Sequence, residues 1–158
     1  MFLSIFHIML MMALAVLLKA PTTARYHNYL NGKGAVVLDD AVGTLEMIDG
    51  SRFLSDVNGD ITIIISYGDL PKGVLGMAMK GLKTCRIIIS PIVNPETSVS
   101  YGEGDLRSVL IHEMGHCFGL DHFPSPKHVM HWSYDGNPHD FDQITEFVKD
   151  LRKMRGVD

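Results

Sequence analysis

The chain has 158 residues, enough for one domain with a buried core, and its 46% hydrophobic and 20% charged content is ordinary for a globular protein. A net charge of −4 and a pI near 6.0 offer no basic surface of the kind that holds nucleic acid, so no nucleic-acid partner is expected. Neither an internal repeat nor a low-complexity tract divides the chain.

Residues 2–18 are almost wholly apolar, broken only by Ser4 and His7, and Lys19, Pro21 and the Thr22-Thr23-Ala24 triplet follow. Small residues at Thr22 and Ala24 are spaced for signal-peptide cleavage before Arg25. Residues 1–24 are therefore expected to be a signal peptide, with a catalytic domain over 25–158 in a secreted or periplasmic protein. The alternative is a membrane anchor formed by residues 2–18, since about 17 apolar residues is the lower limit for a span.

From Arg25 to Asn31 the chain reads as a polar, extended or mobile lead-in. Ala35–Leu38 is a short β-prone run, expected as a first strand. Asp39 or Asp40 then offers an N-cap for a helix carrying Val42, Leu45 and Ile48. Residues 52–57 are expected as another strand, followed by an Asn58-Gly59 turn. Ile61–Ser66 is the clearest strand, so continuously apolar that burial on both faces is expected. Val74–Met79 forms a further short strand ended by Gly81, and Cys85–Ser90 another buried one. Residues 94–104 read as a loop rich in Pro, Gly and Ser.

A helix beginning near Asp105 then carries the sequence Val-Leu-Ile-His-Glu-Met-Gly-His-Cys-Phe-Gly-Leu-Asp-His, from Val109 to His122. Residues four apart on an α-helix lie about 40° apart around its axis, so His112 and His116 point at one spot. Glu113 stands beside the first of them. This H-E-x-x-H spacing supplies two zinc ligands and a general base. Gly119 can end the helix in a left-handed turn. The chain then returns and brings His122 to the metal as a third ligand. Three neutral imidazoles with one open position are the ligand set of a catalytic zinc rather than a structural one. Cys117 sits roughly 140° from His112 around the helix and faces away. It and Cys85 are either one disulfide or two buried thiols; the residues themselves leave both readings open.

The extended pattern of His112, Glu113, His116, Gly119 and His122 resembles the metzincin clan of zinc endopeptidases. The order and spacing of the three strands ahead of it resemble the matrixin branch, the matrix metalloproteinases and their relatives. That resemblance implies an α+β fold of α/β-sandwich type. Its parts would be a mixed twisted sheet with an antiparallel edge strand, an active-site helix, a Met-turn and a C-terminal helix. It implies that Gly76, Met77 and Ala78, on the edge strand, hold a bound peptide through their backbone groups. It places Met130 in the Met-turn, as an apolar floor under the imidazoles, and Tyr134 in the wall of the pocket beside the zinc. Phe123 stands where the matrixin branch often has Ser. His128 and His131 are read as non-ligands. Calcium sites are conceivable in the loops at Asp69 and Glu103–Asp105, though acidic loop residues are usually just solvated.

The tail closes the domain with a helix capped by Asp140 and Gln143. Phe141, Ile144, Val148, Leu151 and Met154 are expected on its apolar face. Lys149, Arg152, Lys153 and Arg155 lie at the end where basic residues suit the helix dipole.

The expected function is zinc-dependent endopeptidase action on a peptide or protein substrate, by a monomer with one catalytic zinc. Water activated at the metal loses its proton to Glu113 and attacks the peptide carbonyl. The alternatives are a catalytically silent zinc-containing peptide-binding module and a membrane-tethered protease.

Overall fold

Isoleucines at alternate positions organise the sheet. In β2 (Ile61–Tyr67) Ile61, Ile63 and Ile65 are buried, and in β4 (Thr84–Ile89) so are Cys85, Ile87 and Ile89. The residues between them, such as Thr62, Ile64 and Arg86, are half-buried or exposed. One face of the sheet thus carries the core, and the expected burial of Ile61–Ser66 on both faces is corrected to a period-2 pattern. The computed structural model that shows this describes residues 21–91 and 102–157. The expected leader up to Ala20 and most of the loop expected over 94–104 lie outside the described residues.

The sheet has four strands in the order β1-β2-β4-β3, where β1 is Ala24–Asn28 and β3 is Gly76–Lys80. β1, β2 and β4 run parallel, while β3 pairs antiparallel with β4 and, among the described residues, no strand pairs with its other edge. Three helices complete the described fold: α1 (Lys33–Asp49), α2 (Glu103–Phe118) and α3 (Phe141–Arg155). α2 packs against β3 and β4 and is flanked by α1 and α3. This is the mixed α+β architecture expected, with its antiparallel edge strand.

Three local expectations are corrected. The lead-in is β1, tied in register to β2 from Ala24↔Ile61 to Asn28↔Ile65. The β-prone run Ala35–Leu38 is helical, because Val37, Leu38, Ala41, Val42 and Leu45 recur at helical spacing and all are buried. A packed apolar face outweighs the small propensity cost of two valines. Asp39 and Asp40 are consequently mid-helix rather than caps, and Asp40 pairs with Arg107 Nε at 3.1 Å. Residues 52–57 form no strand. There the Glu46 carboxylate accepts from the backbone N–H of Leu54 and Ser55 at 2.9 and 2.8 Å, replacing ladder bonds, while Phe53 and Leu54 are buried.

The segment before β1 is built into the domain. Ala24 is fully buried and its N–H donates to Phe53 O. Thr22 donates from both N and Oγ1 to Asp60 Oδ2. The Cβ of any residue replacing Gly59 would lie 2.4–2.6 Å from the Ala24–Arg25 backbone, so this crossing requires a glycine.

α3 carries the reciprocal cap expected: Asp140 Oδ1 accepts from Gln143 N and Gln143 Oε1 accepts from Asp140 N, both at 2.9 Å. Its buried face is Ile144, Phe147, Val148 and Leu151. Phe141 and Met154, expected on that face, are exposed at the two ends, beyond the reach of the core. Arg155 lies in the last turn of α3, as expected, but not as a solvated charge. It is buried, pairs with Asp49 Oδ1 at 2.8 Å, donates to Thr22 O and lies 3.9 Å from the centre of the Phe53 ring. Cys85 and Cys117 are bonded, joining β4 to the end of α2. Among the described residues, no helix is long and apolar enough to cross a membrane.

Candidate metal centre and cleft

α2 presents His112 and His116 on one face, one turn apart, and stops at Gly119. That residue has φ 98°, a conformation a side chain would resist, and its N–H closes on the carbonyls of Gly115 and His116. The reversal brings His122 back beside the helix. His116 Nε2 lies 3.2 Å from His112 Nε2 and 3.2 Å from His122 Nε2. Among the described residues, these three form the group of side chains that could share a metal ion.

The spacing can be tested against zinc chemistry. Zn–N bonds of about 2.0–2.1 Å in tetrahedral array put ligand nitrogens about 3.3 Å apart. The observed 3.2 Å fits that requirement without rearrangement. The outward ring nitrogens are already engaged: His112 Nδ1 lies 2.8 Å from Val129 O, and His116 Nδ1 lies 2.7 Å from Leu120 O. A carbonyl oxygen can only accept, so Nδ1 carries the proton in both rings and Nε2 is left bare toward the shared point. Burial pushes the His112 pKa down to about 4, and burial lowers that of His116 as well. Both rings are therefore in the neutral form that a metal needs.

Glu113 is buried beside this point. Burial pushes its carboxyl up to about 7, and a hydrogen bond from the Ala78 backbone opposes the rise. A carboxylate with that affinity for a proton near neutrality suits a general base. The close approach of β3 to Glu113 depends on Gly76: a Cβ there would lie 2.7 Å from Glu113 Oε1 and 2.8 Å from Val109 Cγ1.

These groups open into one cleft of about 780 Å³. Gly76, Met77 and Ala78 form its β3 side; His112, Glu113, His116 and His122 lie along it; Tyr134 stands in its wall. Each of these residues is therefore in the common site expected from the sequence. Tyr134 is fixed there by donating its hydroxyl to Asp105 Oδ1 at 2.5 Å. Met130 is fully buried below the helix. A Cβ on Gly115, the residue before His116, would meet its sulfur at 2.5 Å, so Gly115 makes room for the thioether. His128 and His131 stand outside the histidine cluster.

Sequence reasoning missed the groups that hold the site rather than line it. The carbonyls of Val129 and Leu120 are backbone atoms and leave no mark on residue identity. Asp105 was legible only as an acidic residue near a helix start. Gly76 was available as a signal, because glycine inside a strand often marks a close backbone approach.

The family model described as Matrixin, a peptidase family, matches residues 38–153. The chain belongs to that family. It is thus a member of the metzincin-type zinc metallopeptidases, in sequence as well as in the disposition of its histidines. It is also similar to two archaemetzincins. One, from Pyrococcus horikoshii, is 38% identical over 65 residues, covering 38% of this chain and 34% of that protein. The other, from Pyrococcus abyssi, is 34% identical over 86 residues, covering 51% and 45%. The chain spans less than half the length of these curated relatives in the matched stretches. In fold, it resembles the crystal structure of archaemetzincin from Methanopyrus kandleri, with a TM-score of 0.51 and 15% identity over 83% of this chain and 94% of that one.

Proposed function

We propose that this chain is a zinc endopeptidase that cleaves extended peptide or protein substrates in the cleft between β3 and α2, with Glu113 as its general base. The observation that carries the reading is the convergence of three imidazoles, with His116 Nε2 3.2 Å from the Nε2 atoms of both His112 and His122, beside a buried carboxylate. His112, His116 and His122 would hold the zinc. When bound, zinc supplies a Lewis acid that polarises a peptide carbonyl and acidifies water.

The chain's own groups account for the remaining work. Among the described residues β3 is an edge strand lining the cleft, and its Gly76–Ala78 backbone can pair with an extended peptide. Glu113 removes a proton from the attacking water as the carbon–oxygen bond forms. It then delivers that proton to the amine as the carbon–nitrogen bond breaks, so the carboxylate is regenerated. Tyr134, held by Asp105, and His131 shape the wall that the residue after the cut would meet.

Within the metzincins, we place the site nearer the matrixin arrangement. The family match over residues 38–153, the edge strand, and Met130 with Tyr134 four residues on support that placement. The stretches of archaemetzincin sequence likeness are shorter, covering 38% and 51% of the chain.

We also infer export, supported by the apolar leader and by the Cys85–Cys117 bond, which persists best in an oxidising compartment. The contacts of Thr22 and Ala24 support a processing point upstream of Thr22 rather than before Arg25.

Zinc stoichiometry measured together with proteolysis tests the function. The expected result is one zinc per chain and cleavage that stops on chelation and returns with zinc. Substantial turnover in Glu113→Ala, with zinc still bound, would sink the assigned mechanism.

A further inference from the structure

His128 makes no direct contact with the histidine cluster, yet it stands at the junction of the three segments that orient it. Its Nε2 lies 3.1 Å from Asp150 Oδ2 on α3. Its Nδ1 accepts from the Met130 backbone N–H at 3.0 Å. Its ring stacks on Phe123, the residue after His122, with centroids 4.2 Å apart and planes 20° apart. Phe123 N in turn donates to Met130 O at 2.8 Å. Between His128 and Met130 lies Val129, whose carbonyl accepts a hydrogen bond from His112 Nδ1–H at 2.8 Å.

These bonds fix the chemistry of the ring. A backbone N–H can only donate, so Nδ1 is unprotonated and Nε2 carries the proton toward Asp150. The side chain closes the turn over residues 128–131, which is also bonded from His131 N to His128 O at 2.9 Å. With Met130 N–H captured, the Val129 carbonyl is turned toward α2. We propose that His128 is a positioning residue for the metal centre: it orients Val129 O, and through it the His112 imidazole, by accepting the Met130 N–H. Phe123 carries the same restraint to the segment that bears His122. The inference rests on the zinc-site reading above.

The two ring nitrogens can be separated by substitution. Asparagine places its Oδ1 near the position of Nδ1 and keeps an acceptor for Met130 N–H. Glutamine reaches the position of Nε2 and keeps a donor for Asp150 but leaves Met130 N–H without its partner. Zinc affinity of the full chain is measured by chelator competition, with apo-protein melting followed in parallel. His128→Asn should bind zinc within about threefold of the wild type. His128→Gln should bind roughly tenfold more weakly, the low end of the range for groups that orient a metal ligand from outside. Cobalt substituted for zinc should show an altered visible absorption band in the glutamine variant alone.

If both variants bind as the wild type does, or both weaken equally, the proposed route through Met130 N–H is wrong. Weakening that follows apo-protein melting across the two variants would reduce His128 to a packing role and also overturn the proposal. A wild-type chain that binds no zinc would instead remove the metal-centre reading itself, a result distinguishable from the others before any variant is made. Should His128→Gln fail to fold, the asparagine variant decides alone: a tenfold loss there contradicts the assignment.

Discussion

Gly76 packs so closely on Glu113 that a Cβ added to it would lie 2.7 Å from Glu113 Oε1 and 2.8 Å from its Cγ. The edge of the sheet and the proposed base therefore cannot be adjusted independently. Gly76→Ala should move the carboxylate or the strand and lower kcat/KM by at least about tenfold, a barrier increase of about 1.4 kcal/mol. Zinc content should stay at the wild-type value. Steady-state kinetics with metal analysis check this, and an unimpaired Gly76→Ala enzyme would show that the contact is easily relieved.

Glu113 can be tested without altering the shape of the site. Glu113→Gln keeps the volume and removes the proton acceptor. General-base catalysis contributes roughly 10²- to 10⁴-fold, so kcat should fall by that order while chelator competition still reports bound zinc. A variant within threefold of the wild-type rate would assign the proton transfer to another group.

Cys85 and Cys117 are 32 residues apart in sequence and close a loop between β4 and α2. Restricting an unfolded loop of that length is worth about 3–4 kcal/mol in the chain-entropy account. The double substitution Cys85→Ser/Cys117→Ser should lower unfolding free energy by about that amount in denaturant titrations. Reductant should destabilise the wild type to a similar degree and leave the double variant unchanged.

The buried pair of Asp49 and Arg155 predicts an asymmetric response. Arg155 is 4% exposed in its side chain and Asp49 1%, so removing one partner strands a charge in the core. Asp49→Ala should cost about 3–5 kcal/mol, whereas replacing both by apolar residues of similar size should cost much less. Equilibrium unfolding of the two variants side by side provides the measurement. Equal losses would indicate that Asp49 acts through its bonds to Ser51 and Arg152 instead.

A chain starting at Arg25 would lose the Ala24 N–H bond to Phe53 O, both Thr22 bonds to Asp60, and the Thr22 carbonyl that accepts from Arg155. It should melt several degrees below a chain starting at Pro21. At about 2–4 °C per kcal/mol for a domain near 150 residues, differential scanning calorimetry resolves the combined loss of these bonds. Identical melting would make the segment dispensable and reopen cleavage before Arg25.

How much of this was legible in sequence differs by scale. The histidine spacing, Gly119 and the Asp140–Gln143 cap are local patterns with local causes, and the structure carries each as read. β2, β3 and β4 were legible within one or two residues. α1 was only half visible, because Ala35–Leu38 is β-prone alone and becomes helical through packing with α2 and α3. β1 was legible only as an extended or mobile lead-in, being a polar strand whose stability comes from its register with β2. The burial of Arg155 was not legible for the same reason. Its partner Asp49 lies 106 residues away, and no pattern within α3 records it.

The disulfide has a further consequence for how the protein comes apart. The covalent ring it closes contains nearly all of β4, the antiparallel partner of β3, and both α2 histidines, while His122 and the turn around Met130 lie outside it. Partial opening should therefore free the third imidazole first, with the other two still clamped to the sheet. Amide exchange should be fast around residues 120–131 and slow in α2, and release of the ion on warming should precede collapse of the ellipticity signal.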